Sequence, residues 1–144
     1  LREASRDGNR VTYQVVDYET LVDSPFFAGR HFAKWDLGQN VTLNVVADEA
    51  RFLKASDEQI GKHKALVTQA VKLFGTRQFD HYDFLLSLTE KMGGIGLEHH
   101  RSSENGVDTG YFTDWERGPG RRNLLPHEFT HSWNGKHRRG ADLV

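Results

Sequence analysis

Residues 56–75, SDEQIGKHKALVTQAVKLFG, carry a strong helix signal. Ser56 and Gln59 have the spacing of a capping box, in which each side chain bonds the backbone amide of the other residue. The apolar residues that follow recur at helical spacing, and Gly75 stands where a left-handed residue often ends a helix. We therefore predict a helix over residues 57–74 whose apolar stripe covers a sheet. The stripe consists of Ile60, Val67, Ala70, Val71 and Phe74.

Strand-like segments flank this helix on both sides. Before it, residues 10–18 (RVTYQVVDY) and 41–47 (VTLNVVA) are rich in β-branched and aromatic side chains. Residues 24–40 mix aromatics with proline and glycine, which favours loops and short edge segments. After the helix, residues 82–89 (YDFLLSLT) predict a central strand.

The second half of the chain is more polar. Residues 93–100 (GGIGLEHH) predict a short edge strand after a glycine-rich turn, and residues 101–122 predict a surface loop. A final helix is expected to begin near Asn123, a good N-cap, or near Pro126. This order favours an α+β fold with a small, mostly antiparallel sheet packed by helices.

A length of 144 residues allows one domain. We divide it into a β-rich part (1–55), a helix with strands (56–100), a loop (101–122) and a helix with its exit segment (123–144). The net charge of −1 and the absence of long apolar runs argue against nucleic-acid and membrane partners. The chain has no cysteine, which excludes thiolate ligands but does not distinguish a cytoplasmic protein from a periplasmic one. Because the chain begins with Leu1, we expect it to be part of a longer protein.

Residues 127–131 have the pattern H-E-x-x-H, which is typical of zinc peptidases. His127 and His131 are neighbours on a helix and can aim two nitrogens at one ion about 2 Å away. Glu128 points about 100° around the helix, beside the ion rather than on it. There it can take a proton from a water molecule that the zinc activates. A surface helix with two solvated histidines is the alternative, but the apolar neighbours of the motif indicate a partly buried helix.

A zinc site of this kind needs a third protein ligand, and the residues leave two alternatives open. His137 would complete H-E-x-x-H-x-x-N-x-x-H, which approximates the metzincin pattern with Asn134 at the glycine position. Metzincins close the site over a downstream Met-turn, whereas Met92, the single methionine, lies upstream. The other alternative is a gluzincin, in which a glutamate beyond Val144 supplies the ligand.

Four stretches, LEHHRSSEN (97–105), LLPHEFTHSWNGKHRRGADL (124–143), DYETLVDSPFFAGRHF (17–32) and YDFLLSL (82–88), closely resemble the glycyl aminopeptidase family of thermolysin-like metallopeptidases. The W-N-x-K run is the most specific of these features, and Gly140 departs from a position that is often proline. The resemblance implies a gluzincin with zinc as cofactor and with its third ligand on a later helix. It also implies a PDZ domain after the catalytic domain, and substrates that are peptides with a free N-terminus and a small first residue, such as glycine or alanine.

The resemblance also implies a substrate clamp on the edge strand. Related aminopeptidases use a G-x-M-E-N segment whose glutamate captures the amino group of the substrate, and Glu98 looks like the counterpart of that glutamate. Gly96 would let the substrate backbone approach, and Leu97 and His99 would lie beside the bound peptide. An ordinary hairpin with an exposed glutamate is the alternative for this segment.

A second class of function follows from the same residues. The chain has two ligands, a candidate base and a candidate clamp, but the gluzincin interpretation places the third ligand elsewhere. On that interpretation the 144 residues alone bind zinc weakly and form an inactive, peptide-binding part of a peptidase.

Overall fold

The structure, a computed structural model, describes residues 1–92, 94–117 and 119–141. Within those ranges the chain forms seven strands and three α-helices, so the predicted α+β class is confirmed. In chain order these are β1 (Glu3–Asp7), β2 (Arg10–Tyr13), α1 (Tyr18–Val22), β3 (His31–Gly38), β4 (Val41–Ala47), α2 (Asp57–Phe74), β5 (Tyr82–Leu88), β6 (Ile95–Glu98), β7 (Ser102–Val107) and α3 (Leu124–Thr130). The predicted turn at Gly93 and the end of the exit segment, 142–144, lie outside the described residues.

Five strands form one sheet in the order β3-β4-β5-β7-β6, and β1 and β2 form a separate hairpin. The hairpin and the two outer pairs, β3 with β4 and β6 with β7, are antiparallel. The two central pairs, β4 with β5 and β5 with β7, are parallel. Antiparallel pairs are therefore in the majority, as expected. The parallel β4–β5 pair is possible because α2 supplies the long crossover that parallel neighbours need.

The helix α2 has the predicted bounds and both predicted caps. Ser56 and Gln59 form the reciprocal capping box, and Gly75 ends the helix with a φ of +75°. Ile60 and Val67 are buried in a core that also contains the inward side chains of β4 and β5. Residues 41–47 and 82–88 were predicted as strands and are confirmed.

One expectation about loops is wrong, and another is correct only in part. Residues 102–107 of the predicted loop form β7, which is largely buried although its sequence, SSENGV, has no apolar alternation. Asn105 is fully buried there, and its amide group donates to the carbonyl oxygens of Leu85 at 3.3 Å and of Ser103 at 3.0 Å. Residues 31–38 form β3, an eight-residue edge strand, where loops and short edge segments were expected. Pairing with β4 and β5 decides these two strands, and sheet context of this kind overrides local propensity.

The predicted strand over residues 10–18 is also shorter than expected. Only Arg10–Tyr13 pairs, in the β1–β2 hairpin, and α1 begins at Tyr18. Among the described residues, no helix is both long and apolar enough to span a membrane.

A buried histidine joins α2 to the segment after β7. The ring of His63 lies within hydrogen-bonding distance of the carbonyl oxygen of Gln59 at Nδ1 (2.7 Å) and of the hydroxyl of Tyr111 at Nε2 (2.8 Å). Because a carbonyl only accepts, Nδ1–H donates to Gln59, and Nε2 accepts from the Tyr111 hydroxyl. Burial lowers the pKa of His63, and the bond to Gln59 offsets only part of that effect.

This ring makes folding sensitive to pH. In the unfolded chain His63 has an ordinary pKa of about 6.5, so it binds a proton before the folded protein does. The neutral His63 ring therefore contributes its full share to the free energy of unfolding above about pH 6.5. That contribution is lost as the pH falls through the lower pKa that His63 has in the folded protein. We expect the free energy of unfolding, measured with urea between pH 8 and pH 5, to fall more steeply for the wild type than for His63→Leu. Parallel curves for the two proteins would contradict this assignment.

Candidate metal centre

The helix that carries the H-E-x-x-H pattern is held by its aromatic face. α3 follows a 3-10 turn (Pro119–Asn123) and begins directly after Asn123, as expected, but Asn123 has helical backbone angles and its side chain makes no cap bond. Phe129 is buried against β5, with its ring centroid 4.9 Å from that of Tyr82. Beyond the helix, the indole N–H of Trp133 donates to the carbonyl oxygen of Thr76 at 2.7 Å. These contacts fix which face of α3 points away from the core.

His127, Glu128 and His131 come together as the pattern predicts. The two Nε2 atoms of the histidines lie 3.3 Å apart, and their rings are nearly perpendicular at 82°. Oε1 of Glu128 lies 3.9 Å from Nε2 of His127. The three ligand atoms all lie within 4.8 Å of one another, and no other group of three such residues in the described part of the chain meets that condition.

A backbone carbonyl group orients the ring of the second histidine, His131. Nδ1 of His131 lies 3.0 Å from the carbonyl oxygen of Asn134, so Nδ1–H donates there and Nε2 keeps its lone pair. Gly135, the next residue, has a φ of +132°, and a Cβ atom there would lie 3.3 Å from Nδ1 of His131. Asn134, which the metzincin alternative places at the position of a turn glycine, does not have a positive φ.

Glu128 is a buried carboxylate at the edge of the site. It is 3% exposed, and its Oε2 atom has no hydrogen-bond partner. Burial raises the pKa of Glu128, the nearby His127 and His131 rings lower it, and the charge of Glu98 raises it further. The net effect is a raised pKa, which favours proton uptake by this side chain.

The edge strand β6 lies directly against Glu128. A Cβ atom on Gly96 would collide with Oε1 of Glu128 and would lie 2.6 Å from Cδ1 of Leu124. Gly96 does not have a positive φ, so no turn requires glycine there, but close packing against α3 does. Glu98 shares the face of Gly96 because side chains alternate along a strand, and it too is directed toward the site. Leu97 points to the opposite face and is 42% exposed.

The ring of His99 lies between two carboxylates. Its Nδ1 atom lies 2.9 Å from Oδ1 of Asp23, and its Nε2 atom lies 3.3 Å from Oε1 of Glu104. Both ring nitrogens therefore face protein carboxylates. Sequence reasoning missed Asp23, because a contact between residues 76 positions apart leaves no local pattern, and it also missed Glu104, which lies five positions from His99 on the next strand.

His137 is not brought to the histidine pair. Its ring packs edge to face on the ring of His100, with centroids 5.4 Å apart, and its Nε2 atom lies 3.5 Å from the carbonyl oxygen of His100. It is not a member of the three-residue group.

Comparisons with known proteins agree with this geometry. Residues 120–144 match the family model of the M61 glycyl aminopeptidases. A crystal structure described as an aminopeptidase N family protein from Idiomarina loihiensis has a TM-score of 0.67 with this chain at 20% identity. The match covers 94% of this chain and 24% of that one, so the chain spans about a quarter of that protein. No curated protein sequence matches the chain. The segment that holds His127, Glu128 and His131 thus matches the M61 glycyl aminopeptidase model, and the fold is similar to that of an aminopeptidase N family protein.

Proposed function

We propose that the chain belongs to a zinc-dependent aminopeptidase that removes small N-terminal residues, such as glycine or alanine, from peptides. The observation that carries the proposal is the pair of histidine nitrogens 3.3 Å apart beside a buried carboxylate. The match of the last 25 residues to the glycyl aminopeptidases supports the class of substrate.

The residues fit zinc. Two nitrogens bound at about 2.0–2.1 Å to a tetrahedral ion lie about 3.3–3.4 Å apart, which is the separation found between His127 and His131. The bond from Nδ1 of His131 to a carbonyl is the kind of outer contact that fixes the ring of a metal-binding histidine. His127 and His131 would hold the ion, and Glu128 would lie beside it.

The remaining roles follow from position. Zinc, when bound, lowers the pKa of water and polarises a carbonyl group. Glu128 accepts the proton of the attacking water and passes it to the leaving amine, and its raised pKa favours the first of these transfers. An extended substrate adds to the free edge of β6, and Glu98 pairs with its N-terminal ammonium group. The glycine at position 96 keeps the strand close enough to Glu128 for the first peptide bond to reach the base.

We further propose that the third ligand is a glutamate outside these 144 residues. The position of His137 on the ring of His100 supports this choice over the metzincin alternative. The likeness to a protein about four times as long supports a remainder of the catalytic domain that packs on this chain. A C-terminal PDZ domain is part of the same proposal by family analogy.

Zinc titration of the chain tests the site. Because the third ligand is proposed to lie outside these residues, we expect isothermal titration calorimetry to show one weakly bound zinc ion per chain. His127→Ala or His131→Ala should weaken binding by more than the roughly 10–100-fold that loss of an outer partner costs. His137→Ala is the matched control and should bind zinc as the wild type does. A loss in His137→Ala equal to that in His131→Ala would assign the third ligand to His137 and refute the glutamate proposal.

A second candidate is a peptide-binding segment that does not hydrolyse its ligand. The free edge of β6 beside Glu98 favours it, since that edge can pair with a peptide whether or not a metal is bound. Binding of trialanine without hydrolysis of an alanyl anilide, in protein that holds the complete metal site, would support this candidate over the peptidase.

A further inference from the structure

A carboxylate from the N-terminal segment lies at the end of the edge strand. Asp23 follows α1, and its Oδ2 atom accepts the backbone N–H of His100 at 2.8 Å and faces Nδ1 of the same ring at 2.9 Å. Its other oxygen, Oδ1, faces Nδ1 of His99 at 2.9 Å. One side chain thus binds two successive residues of the turn between β6 and β7.

The opposite side of His99 is held as well. Glu104 on β7 faces Nε2 of His99 at 3.3 Å, and the His99 side chain is only 11% exposed. Burial alone would raise the pKa of Asp23, but the bonds from the His100 amide and the two rings outweigh it and lower that pKa. The low pKa shows that the ionised carboxylate is the form that these contacts stabilise. The charged and titratable groups around this turn are His99, His100 and Arg101 within it, Glu104 on β7, Asp17, Glu19 and Asp23 on the N-terminal segment, and His137 on the exit segment.

β6 needs such support because it is weakly held by the sheet. The strand has four residues and pairs with β7 alone among the described strands. Short edge strands open locally at low cost, because few backbone bonds hold them. Glu98 is the last residue of β6 and directly precedes the two histidines that Asp23 binds. Any motion of the turn therefore moves Glu98.

We propose that Asp23 is a positioning residue for Glu98, which it holds in place by clamping the His99–His100 turn. The inference rests on the proposed function in one respect, namely that Glu98 binds the substrate amino group. Asp23 acts through the turn, and it lies on a segment whose helix, α1, buries none of its side chains. The hydrogen bonds that join this segment to the turn all use the Asp23 carboxylate, so a single substitution removes them.

Amide exchange measured by NMR tests the clamp without any metal or activity. The N–H of His99 is the diagnostic group, because it donates to the carbonyl oxygen of Ser102 at 2.8 Å and does not touch Asp23. We expect Asp23→Ala to accelerate its exchange at least about tenfold, as local opening of an edge strand does. Amides in α2 should be unaffected.

Two further variants make this result specific. Asp17→Ala is the matched control, since Asp17 caps α1 on the same exposed segment through the N–H of Thr20. It should leave the exchange of His99 unchanged. Asp23→Asn keeps one acceptor and the side-chain volume, so it should give an intermediate rate, and it decides the question if Asp23→Ala does not fold. Wild-type exchange at His99 in the Asp23 variants, or equal acceleration by Asp17→Ala, would overturn the clamp.

Peptide titration then separates the clamp from the proposed function. Trialanine and N-acetyl-trialanine serve as probes, and the wild type should prefer the free amine. Glu98→Gln should lose this preference, and Asp23→Ala should lose it to a similar degree. A preference that survives in Asp23→Ala but not in Glu98→Gln would overturn the positioning role. If Glu98→Gln keeps the preference, the amine anchor is wrong, and the exchange rates alone decide whether Asp23 holds the strand.

Discussion

Glu128→Gln is expected to lower kcat for an alanyl anilide by about 10²–10⁴-fold, the range that a general base contributes, while zinc remains bound. The measurement requires protein that contains the complete metal site. The amide has nearly the volume of the carboxylate, so it fits the same buried position, but it cannot accept the proton of the attacking water. Because the substitution slows the chemical step and leaves substrate binding unchanged, KM should change little.

Metal content is the control for this variant. Glu128 lies 3.9 Å from Nε2 of His127, and the histidine pair is held independently through His131 and the carbonyl of Asn134. Zinc stoichiometry in Glu128→Gln should therefore equal that of the wild type. Turnover at the wild-type rate would remove Glu128 as the base, and loss of zinc would show that Glu128 is a ligand instead.

Gly96→Ala is expected to destabilise the fold by about 1–3 kcal/mol, the usual cost of adding a methyl group to a closely packed position. The new methyl group would overlap Oε1 of Glu128 and crowd Leu124, so either β6 must move away from α3 or the carboxylate must rotate. Either response displaces the candidate base or the strand that carries Glu98. Hydrolysis should therefore fall together with stability.

Gly94→Ala is the matched control on the same segment. Its Cβ would meet only the carbonyl oxygen of Gly106, at 3.8 Å, which is ordinary contact. Urea unfolding of the two variants should show a loss in Gly96→Ala alone. Equal losses would mean that the glycines serve the strand itself, and the close approach of β6 to Glu128 would then have no special role.

Much of the framework could be predicted from sequence because it depends on local spacing. The capping box at Ser56, the left-handed Gly75 and the apolar stripe between them fix α2 through contacts within a few residues. Apolar, β-branched runs predicted β4 and β5. The spacing of four residues between His127 and His131 predicted their approach, since it follows from the pitch of a helix.

The tertiary structure alone decided the polar strand β7, the packing of Gly96 on Glu128 and the hold of Asp23 on the turn. Each depends on residues far apart in the chain: Asp23 lies 76 and 77 positions from the histidines it binds. SSENGV forms a strand because two neighbours, β5 and β6, offer it backbone partners, and the sequence of a strand does not encode its neighbours. The helical repeat brought the candidate metal ligands together, whereas the surroundings that orient them came from contacts that no local pattern records.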